Sequence, residues 1–375
     1  MKIGLVCPYG VDRGGGVKEV IYSIQDELNK RGHQAYIITP RPQSDNFQQR
    51  ERMIFVGRAT DMKSPSRTTV QISASVNDTI DRMLEEEKFD VLHFHEPWIP
   101  MLSYQLLTRS NTVNVATFHA NLPETTMVRT LAKVITPYAK SILKYIDSFT
   151  ATSDAAAEYI CSLTDAPVAI IPIGLDASLW KPPEKHKDGT KHKTILYVGR
   201  LEGRKGVSYL IHAFAELQNQ RPEISLLICG EGPDRDKLEM LVEDLEVKNV
   251  TFMGYISDAQ KHKLYQTSDL FCSPAIYGEG FGLVLLEAMA SGLVTVAGDN
   301  PGYKGVMNGL GALSLINPKH TAEFARRLDL LLYEKDLRKL WRYWASKEMP
   351  QYSYKNIVNQ YLEVYEQAIA EASEK

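Results

Sequence analysis

Seven residues separate two glutamates, Glu279 and Glu287, in the stretch that carries the clearest chemical signal of the chain. Glu279 lies in a glycine-rich turn, and residues 283–290 have the composition of a helix that begins at that turn. The amide groups at the start of such a helix can bind an anion such as a diphosphate. Glu287 is an acid in an otherwise apolar helix, and a buried acid needs a polar partner such as the two hydroxyls of a ribose. The alternative, a capping glutamate and an incidental second one, explains the pattern less well.

A basic loop, residues 198–206, follows the strand predicted at residues 194–198. Arg200 and Lys205 leave the strand end on backbone that the glycines of this loop make flexible. Cations in that position suit a diphosphate, because they neutralise the charge that grows on a departing phosphate. A solvated basic loop is the alternative, and the loop taken alone does not decide between the two.

Three glycines, residues 14–16, join the first predicted strand to the first predicted helix. Gly15 and Gly16 let a phosphate or a sugar approach the backbone, and the helix start offers N–H groups. A tight strand-to-helix turn without a ligand is the alternative. The glycines do not have the GxGxxG spacing, and no acid follows the second strand, where Thr39-Pro40-Arg41 stands. The sequence therefore disfavours an NAD-binding domain.

Three histidines lie near the ends of two predicted strands. His119 follows the strand at residues 113–118, where a neutral imidazole can hydrogen-bond a sugar hydroxyl, although a lone histidine is more often structural. His93 and His95 share one face of the preceding strand, beside Glu96. Because no third and fourth ligand can be identified, we favour a structural or site-lining role for this pair over a metal site.

Residues 125–146 contain no acid and four cations. On a helix these cations fall within about 60° of one another, opposite a row of apolar side chains. The four are Arg129, Lys133, Lys140 and Lys144. Pro137 is expected to kink or split this helix. Both a solvated face and docking to anionic lipid, at about 1 kcal/mol per cation, fit the pattern.

Short apolar runs alternate with helical patterns along most of the chain, which predicts parallel sheets covered by helices on both faces. Strands are predicted at residues 2–7, 34–39, 91–94, 113–118, 149–152, 168–171, 194–198, 225–229, 250–252, 270–272, 294–297 and 313–316. Helices are predicted at residues 17–30, 76–87, 283–290, 321–333, 335–347 and 354–372. The rhythm restarts after residue 190, so each half is expected to form its own doubly wound domain.

The length of 375 residues also favours two domains. We expect an N-terminal domain of residues 1–172 and a C-terminal domain of residues 173–353. A polar, proline-bearing stretch, residues 181–189, has the character of a linker or a surface loop. Ligands of open parallel sheets bind beyond the carboxyl ends of the strands, so the natural site is a cleft between the two domains.

Composition excludes several classes of protein. The formal charge is −3, from 43 basic and 46 acidic residues, which argues against a general nucleic-acid binder. The hydrophobic share of 44% is ordinary for a globular protein. No window has the apolar length of a membrane span, and residues 1–8 do not have the pattern of a signal peptide. The four cysteines form no CxxC pair. We interpret them as buried thiols of a cytoplasmic protein.

The Glu279–Glu287 motif resembles the signature of the retaining glycosyltransferases of family 4, which have the GT-B fold. The basic loop and the strand end at His119 fit the same family, and the resemblance covers the whole chain. Further segments look like those of the phosphatidylinositol mannosyltransferases. They are IGLVCPY at residues 3–9, GGV at 15–17, FDVLHFHEP at 89–97, ATFH at 116–119 and TPY at 136–138. The fold class implied is α/β, with two Rossmann-like domains facing across a cleft and a last helix, in residues 354–375, that crosses back to the first domain.

The resemblance implies a role for each matching residue. The diphosphate would be held by the backbone of Gly15 and Gly16 and by Arg200 and Lys205, which would also stabilise the leaving group. Glu279, with backbone of Phe281, Gly282 and Leu283, would hold the sugar hydroxyls. Glu287 would bind the ribose, and Ile256 and Asp258 would contact the base. His119 would touch the sugar near the reacting carbon.

The activity implied is transfer of mannose from GDP-mannose to phosphatidylinositol, with retention of configuration. It needs no cofactor, and Mg²⁺ is tolerated rather than obligatory. The partners are then a nucleotide-sugar and a lipid at an anionic membrane surface, with the enzyme peripheral on the cytoplasmic face; no oligomeric state is predicted. The alternatives are a UDP- or ADP-sugar with another lipid-linked or soluble acceptor, a sugar-nucleotide hydrolase or epimerase, and a binding protein without catalysis.

Overall fold

The computed structural model describes residues 1–11, 16–43, 49–63, 69–72, 75, 77–99, 101–119, 136–184 and 191–374. The chain divides into two compact units. Unit 1 consists of residues 1–174 and 354–375, and unit 2 of residues 175–353. The division predicted after residue 172 lies two residues earlier.

Unit 1 is built on a sheet of seven parallel strands in the order β3-β2-β1-β6-β7-β8-β9. These strands are β1 (Lys2–Val6), β2 (Gln34–Arg41), β3 (Met53–Arg58), β6 (Val91–His95), β7 (Val113–Phe118), β8 (Ser148–Ala151) and β9 (Val168–Ile170). A separate antiparallel pair joins β4 (Thr60–Lys63) to β5 (Thr69–Ile72). The sequence predicted neither β3 nor this pair.

Helices cover both faces of the unit 1 sheet. They are α1 (Gly16–Lys30), α2 (Asn77–Glu87), α3 (Leu102–Leu107), α4 (residues 136–143 of the described part), α5 (Asp154–Cys161) and α13 (Tyr354–Ser373). One apolar core joins the sheet to α1 and α13, and a second joins it to α2, α3, α4 and α5. Ile357, Val358 and Tyr361 lie in the first core, so the last helix is an integral part of unit 1, as the sequence predicts.

Unit 2 contains six parallel strands in the order β12-β11-β10-β13-β14-β15. The strands are β10 (Lys193–Val198), β11 (Ile224–Cys229), β12 (Val250–Gly254), β13 (Leu270–Ser273), β14 (Thr295–Gly298) and β15 (Leu315–Ile316). Its helices are α6 (Val207–Gln220), α7 (Arg235–Asp244), α8 (Asp258–Thr267), α9 (Leu283–Ala290), α10 (Pro301–Val306), α11 (Thr321–Tyr333) and α12 (Lys335–Glu348). Three 3₁₀ turns complete it, at Gly203–Lys205, Gly309–Ser314 and Met349–Tyr352.

Several details differ from the predictions. The strand predicted at residues 313–316 is shorter, because the 3₁₀ turn continues to Ser314. Cys161 is exposed at the end of α5, so the interpretation of all four cysteines as buried was wrong. The described part of residues 181–189 lies inside unit 2 and is therefore a surface loop of that unit rather than a linker. The basic helix predicted to reach Ile146 ends at residue 143, and its first part lies outside the described residues.

Candidate active site

The basic loop of unit 2 is held in place by its own strand and by one glycine. The hydroxyl of Tyr197, in β10, donates to the carbonyl oxygen of Arg200 at 2.8 Å. Gly206 adopts a left-handed backbone with φ 70°, and a Cβ there would lie 2.1 Å from the carbonyl oxygen of Pro274. Only glycine fits at this close approach, which brings the basic loop against the segment that follows β13.

Two cations of this loop converge on Glu279. Nη1 of Arg204 lies 2.6 Å and Nζ of Lys205 2.7 Å from the same oxygen, Oε1 of Glu279. Nη2 of Arg204 also meets Glu202 at 2.7 Å. Burial opposes the charge of Arg204, but Glu279 and Glu202 outweigh it and raise the pKa of this guanidinium. Arg200 lies at the rim, with 54% of its side chain exposed, 3.7 Å from Glu202.

The turn before α9 puts Glu279 beside a helix start. Gly282 has φ 102°, and a Cβ there would lie 2.7 Å from the ring of Tyr303, so the turn requires glycine. Gly282 is the N-cap of α9, which begins at Leu283, and it has no side chain that could cap the helix. Phe281 is buried and Leu283 half-buried. The amides at this helix start therefore belong to the same surface as the cations around Glu279, an arrangement suited to a phosphate group.

Glu287 lies in the second turn of α9 and is only 5% exposed. Its carboxylate accepts from Nζ of Lys261 at 2.9 Å and from the hydroxyl of Tyr265 at 3.3 Å. Burial raises the pKa of Glu287, and the ammonium of Lys261 opposes that shift. Lys261 also lies 5.0 Å from the ring centroid of Trp180. This carboxylate is thus held by one cation and one hydroxyl, each contacting a different carboxylate oxygen.

The two residues predicted to contact a base flank Ser257, the N-cap of the helix that carries Lys261. Ile256 is half-buried, and 92% of the Asp258 side chain is exposed, 3.7 Å from Lys261. Ser257 and Gln260 cap α8 reciprocally through a capping box. The cap fixes the entry into α8, so Asp258 is carried on the same helix as Lys261, the partner of Glu287, and Ile256 directly precedes the cap.

In unit 1, His119 follows the end of β7 and is 7% exposed. Gly16 is the exposed first residue of α1, and no described atom lies within 4 Å of the position a Cβ would take. Gly15 lies outside the described residues. Of the four predicted membrane contacts, Lys140 and Lys144 are exposed on and just after α4, whereas Arg129 and Lys133 lie outside the described residues.

A histidine chain, defined as His93, His95 and His119, lies at the ends of β6 and β7. The rings of His93 and His95 are 4.2 Å apart, and Nδ1 of His95 lies 2.9 Å from Nε2 of His119. Glu96 adopts a left-handed backbone with φ 51°, and its Oε1 accepts the backbone N–H of His119 at 2.7 Å. Burial lowers the pKa of His93 and of His119 to about 3 and that of His95 well below its usual range. All three imidazoles are neutral at pH 7.

Sequence reasoning missed several partners in this arrangement. Arg204 stands beside Lys205 in the sequence, but only the 3₁₀ turn at Gly203–Lys205 determines that both side chains reach Glu279. Lys261 and Tyr265 lie 26 and 22 residues before Glu287, and no local pattern connects them. A buried acid in an apolar helix was the available signal that such partners must exist.

No group of three or more His, Cys, Asp or Glu within the described ranges is arranged to hold a metal ion. No helix in that part of the chain is long and apolar enough to cross a bilayer.

Solved structures with the same architecture extend over nearly the whole chain. The sucrose-phosphate synthase from Thermosynechococcus elongatus aligns with a TM-score of 0.77 at 20% identity, covering 98% of this chain and 99% of that one. A glycosyltransferase from Rickettsia africae ESF-5 aligns with a TM-score of 0.75 at 18% identity, covering 98% of both chains. Two Rossmann-like domains with these neighbours define the GT-B class of glycosyltransferase folds.

Sequence comparison defines the family more closely. The family model "Glycosyltransferase Family 4" matches residues 14–179, and "Glycosyl transferases group 1" matches residues 180–348. The phosphatidyl-myo-inositol mannosyltransferase of Mycobacterium leprae (strain TN) is 31% identical over 369 residues, covering 98% of this chain and 96% of the relative. That of Mycolicibacterium smegmatis is 30% identical, covering 98% and 94%. The chain belongs to family 4 of the glycosyltransferases.

Proposed function

We propose that this glycosyltransferase moves mannose from GDP-mannose to the inositol ring of phosphatidylinositol, with retention of configuration. One observation carries the proposal: Arg204 and Lys205 converge on Glu279 directly before α9. Positive charge, a carboxylate and a helix start are thereby combined where a sugar diphosphate can be held. The full-length relatives described above supply the choice of sugar and acceptor.

Each part of the unit 2 site takes one part of the donor. Arg200 and Lys205, together with Arg204, bind the diphosphate and stabilise the leaving group. Glu279 and the backbone of residues 281–283 hold the sugar hydroxyls. Glu287 accepts the two ribose hydroxyls, and the segment from Ile256 to Asp258 meets the base.

The reaction is a substitution on one face of the sugar. The bond between the anomeric carbon and the phosphate oxygen breaks while the acceptor oxygen forms the new bond on the same side. The acceptor proton passes to the departing phosphate oxygen. In unit 1, His119 contacts a hydroxyl of the transferred sugar and, being neutral, can donate or accept a hydrogen bond. Because the loop cations supply positive charge, the chemistry does not require a metal.

The acceptor is reached at a membrane surface. Lys140 and Lys144 are exposed near one another on α4 and the turn after it, where they attract anionic headgroups. We therefore infer that the enzyme works as a peripheral protein on the cytoplasmic face. Its product would enter glycolipid biosynthesis.

A second candidate keeps the mechanism and changes the substrates. The alpha-monoglucosyldiacylglycerol synthase of Acholeplasma laidlawii is 24% identical over 322 residues, covering 78% of this chain and 79% of the relative. This likeness favours a UDP- or ADP-sugar and another lipid as the alternative to GDP-mannose and phosphatidylinositol.

A transfer assay tests the proposal. The full chain is incubated with GDP-mannose, UDP-glucose or ADP-glucose and with vesicles of phosphatidylinositol or diacylglycerol, and the lipid product is isolated. We expect mannosyl-phosphatidylinositol, with an α linkage by NMR, in the presence and absence of EDTA. A β linkage would contradict retention, loss of product with EDTA would contradict metal independence, and a UDP- or ADP-dependent product would select the second candidate.

Two matched variants test whether this transfer activity depends on the unit 2 site. Lys205→Ala removes a cation that touches Glu279, whereas Lys237→Ala removes one on α7 with 81% of its side chain exposed. Activity that survives Lys205→Ala but not Lys237→Ala would place the donor elsewhere.

A further inference from the structure

The histidine chain of unit 1 is anchored at one end by the last helix. Nδ1 of His93 lies 2.7 Å from the hydroxyl of Tyr365, which is in α13, and Nε2 of His93 lies 2.6 Å from Oγ1 of Thr117. Oγ1 of Thr117 in turn lies 2.5 Å from Oγ1 of Thr150. All four side chains are fully buried, so water does not supply alternative partners.

One arrangement of protons satisfies the hydrogen bonds among these four side chains. The hydroxyl of Thr150 donates to the carbonyl oxygen of Ala116 at 3.1 Å, so it accepts from Thr117. Thr117 then accepts the Nε2–H of His93, and Nδ1 of His93 accepts from Tyr365. In this arrangement the ring of His93 is held at both nitrogens. The ring of His95 packs against that of His93, with 4.2 Å between the ring centroids and 37° between the ring planes.

His95 and His119 share one hydrogen bond between two neutral rings. Two neutral imidazoles carry two N–H groups, and the bond from Nδ1 of His95 to Nε2 of His119 uses one of them. The outer atoms, Nε2 of His95 and Nδ1 of His119, are then one donor and one acceptor. Both are buried, and neither has a hydrogen-bond partner within the described part of the chain. The tautomer of one ring thus dictates the tautomer of the other.

Two atoms of His119 are consequently held by hydrogen bonds, and a third is unpaired among the described residues. Its backbone N–H is held by Glu96, and its Nε2 is held by His95. The remaining atom, Nδ1, is the one that can meet a ligand. A buried nitrogen without a hydrogen-bond partner destabilises the folded protein. A hydroxyl that satisfies it would recover that free energy.

We propose that His95 is a positioning residue that sets the tautomer and ring orientation of His119 through its Nδ1 atom, so that Nδ1 of His119 meets a substrate hydroxyl in a defined hydrogen-bonding role. The identity of that hydroxyl, on the transferred sugar, rests on the proposed function. The hydrogen bond between the rings of His95 and His119 is independent of the proposed function.

Two amide variants separate this role from its alternatives. The side-chain nitrogen of asparagine occupies nearly the position of Nδ1, and that of glutamine nearly the position of Nε2. If His95 acts through Nδ1, His95→Asn retains the coupling to His119 and His95→Gln loses it. If His95 instead touches the ligand through Nε2, the order is reversed. If His95 only fills space, His95→Phe is expected to preserve the behaviour of His119 as well as either amide variant does.

The first experiment is independent of activity. Protein with ¹⁵N-labelled histidine is examined by long-range ¹H–¹⁵N NMR at pH 7, with His119→Gln used to assign the His119 signals. We expect one neutral tautomer of His119 in the wild type and in His95→Asn, and a mixture or the opposite tautomer in His95→Gln and His95→Phe. An unchanged His119 spectrum in both of the latter would overturn the proposal.

The second experiment measures transfer from the donor that the wild type uses. We expect kcat to fall about tenfold in His95→Gln and to stay within about threefold in His95→Asn. In a His119→Ala background, His95→Gln should cause no further loss. A reversed order of the two amide variants, or an additive loss, would overturn the positioning role. A wild type without transfer activity would refute the proposed function and leave the NMR result to decide the coupling.

Discussion

Lys205 Nζ lies 2.7 Å from Oε1 of Glu279, an oxygen that Arg204 also contacts at 2.6 Å. The lysine and the glutamate were predicted from separate segments, one as a phosphate ligand and the other as a sugar ligand. Their contact means that Glu279 holds both cations in place. Preorganised charge of this kind acts on a leaving group without further reorganisation.

Replacing either of the two cationic side chains that contact Glu279 should slow transfer and leave the protein folded. If each positive charge stabilises the leaving diphosphate as proposed, Lys205→Ala and Arg204→Ala should each lower kcat by about 10²–10³-fold. Arg200→Ala should also lower kcat. Steady-state kinetics measure the fall in kcat, and circular dichroism shows whether each variant is folded.

Lys237→Ala is the control for loss of one positive charge on unit 2, since its side chain is 81% exposed. It should leave kcat unchanged. Near-normal turnover in Arg200→Ala, Arg204→Ala and Lys205→Ala together would contradict the assigned leaving-group role.

Glu287 should recognise the ribose. Its carboxylate is buried against Lys261 and Tyr265, and each hydroxyl of a diol would donate to one of its oxygens. We expect the wild type to bind the nucleoside diphosphate about tenfold more tightly than its 2′-deoxy form, since a hydrogen bond to a charged group contributes about 1.5 kcal/mol. In Glu287→Gln the preference should disappear, as measured by calorimetry. Equal affinity of the wild type for both forms would contradict the binding of the ribose by Glu287.

The donor side was the more predictable part of the molecule. Glu279 and Glu287 are recognisable because an acid in a glycine turn and an acid in an apolar helix both violate ordinary local preferences. Lys261 and Arg204 were not recognisable as their partners. Lys261 is an unremarkable residue of a polar helix, and its distance from Glu287 is set by how α8 and α9 pack in unit 2.

Acid should destabilise unit 1 through its buried histidines. The pKa of His93 and of His119 is lowered to about 3 by burial, against an ordinary value of 6.5 when unfolded. The unfolded chain therefore binds protons that the folded chain rejects. Stability is complete above pH 6.5 and is lost as the pH falls toward 3, at about 1.4 kcal/mol per pH unit for each histidine.

Denaturant unfolding of unit 1 between pH 7 and pH 4 measures this slope. His119→Asn should reduce this slope by about 1.4 kcal/mol per pH unit, the contribution of one proton. An identical slope in the wild type and His119→Asn would contradict a neutral His119.

The last helix should stabilise unit 1 through one hydroxyl in particular. Tyr365→Phe removes the donor to Nδ1 of His93 and leaves that buried nitrogen unpaired, at a cost of about 1–3 kcal/mol. Tyr361→Phe is the matched control on the same helix, because its hydroxyl has only a long contact of 3.4 Å with Thr117. Equal free energies of unfolding for the two variants would contradict the network.

Unit 1 was less predictable for physical reasons. β3 contains a continuous apolar run, residues 53–56, that was not assigned from the sequence, and its half-buried pattern and its pairing with β2 at the edge of the sheet appear only in the structure. The role of His95 was equally hidden. Its spacing from His93 places both on one face, but its hydrogen bond to His119 depends on the register between β6 and β7.

Nucleotide binding is the most direct test of the central claim, which is that the Glu279 and Glu287 centres of unit 2 form a donor site. Thermal unfolding is measured with GDP, UDP, ADP, GDP-mannose and UDP-glucose, for the wild type and for Glu287→Gln. A ligand at 100 times its dissociation constant adds about 2.7 kcal/mol to the stability of the folded state. We predict stabilisation of the wild type by GDP and GDP-mannose, and a smaller effect on Glu287→Gln. Absence of any shift with all five compounds at millimolar concentration would contradict the donor site.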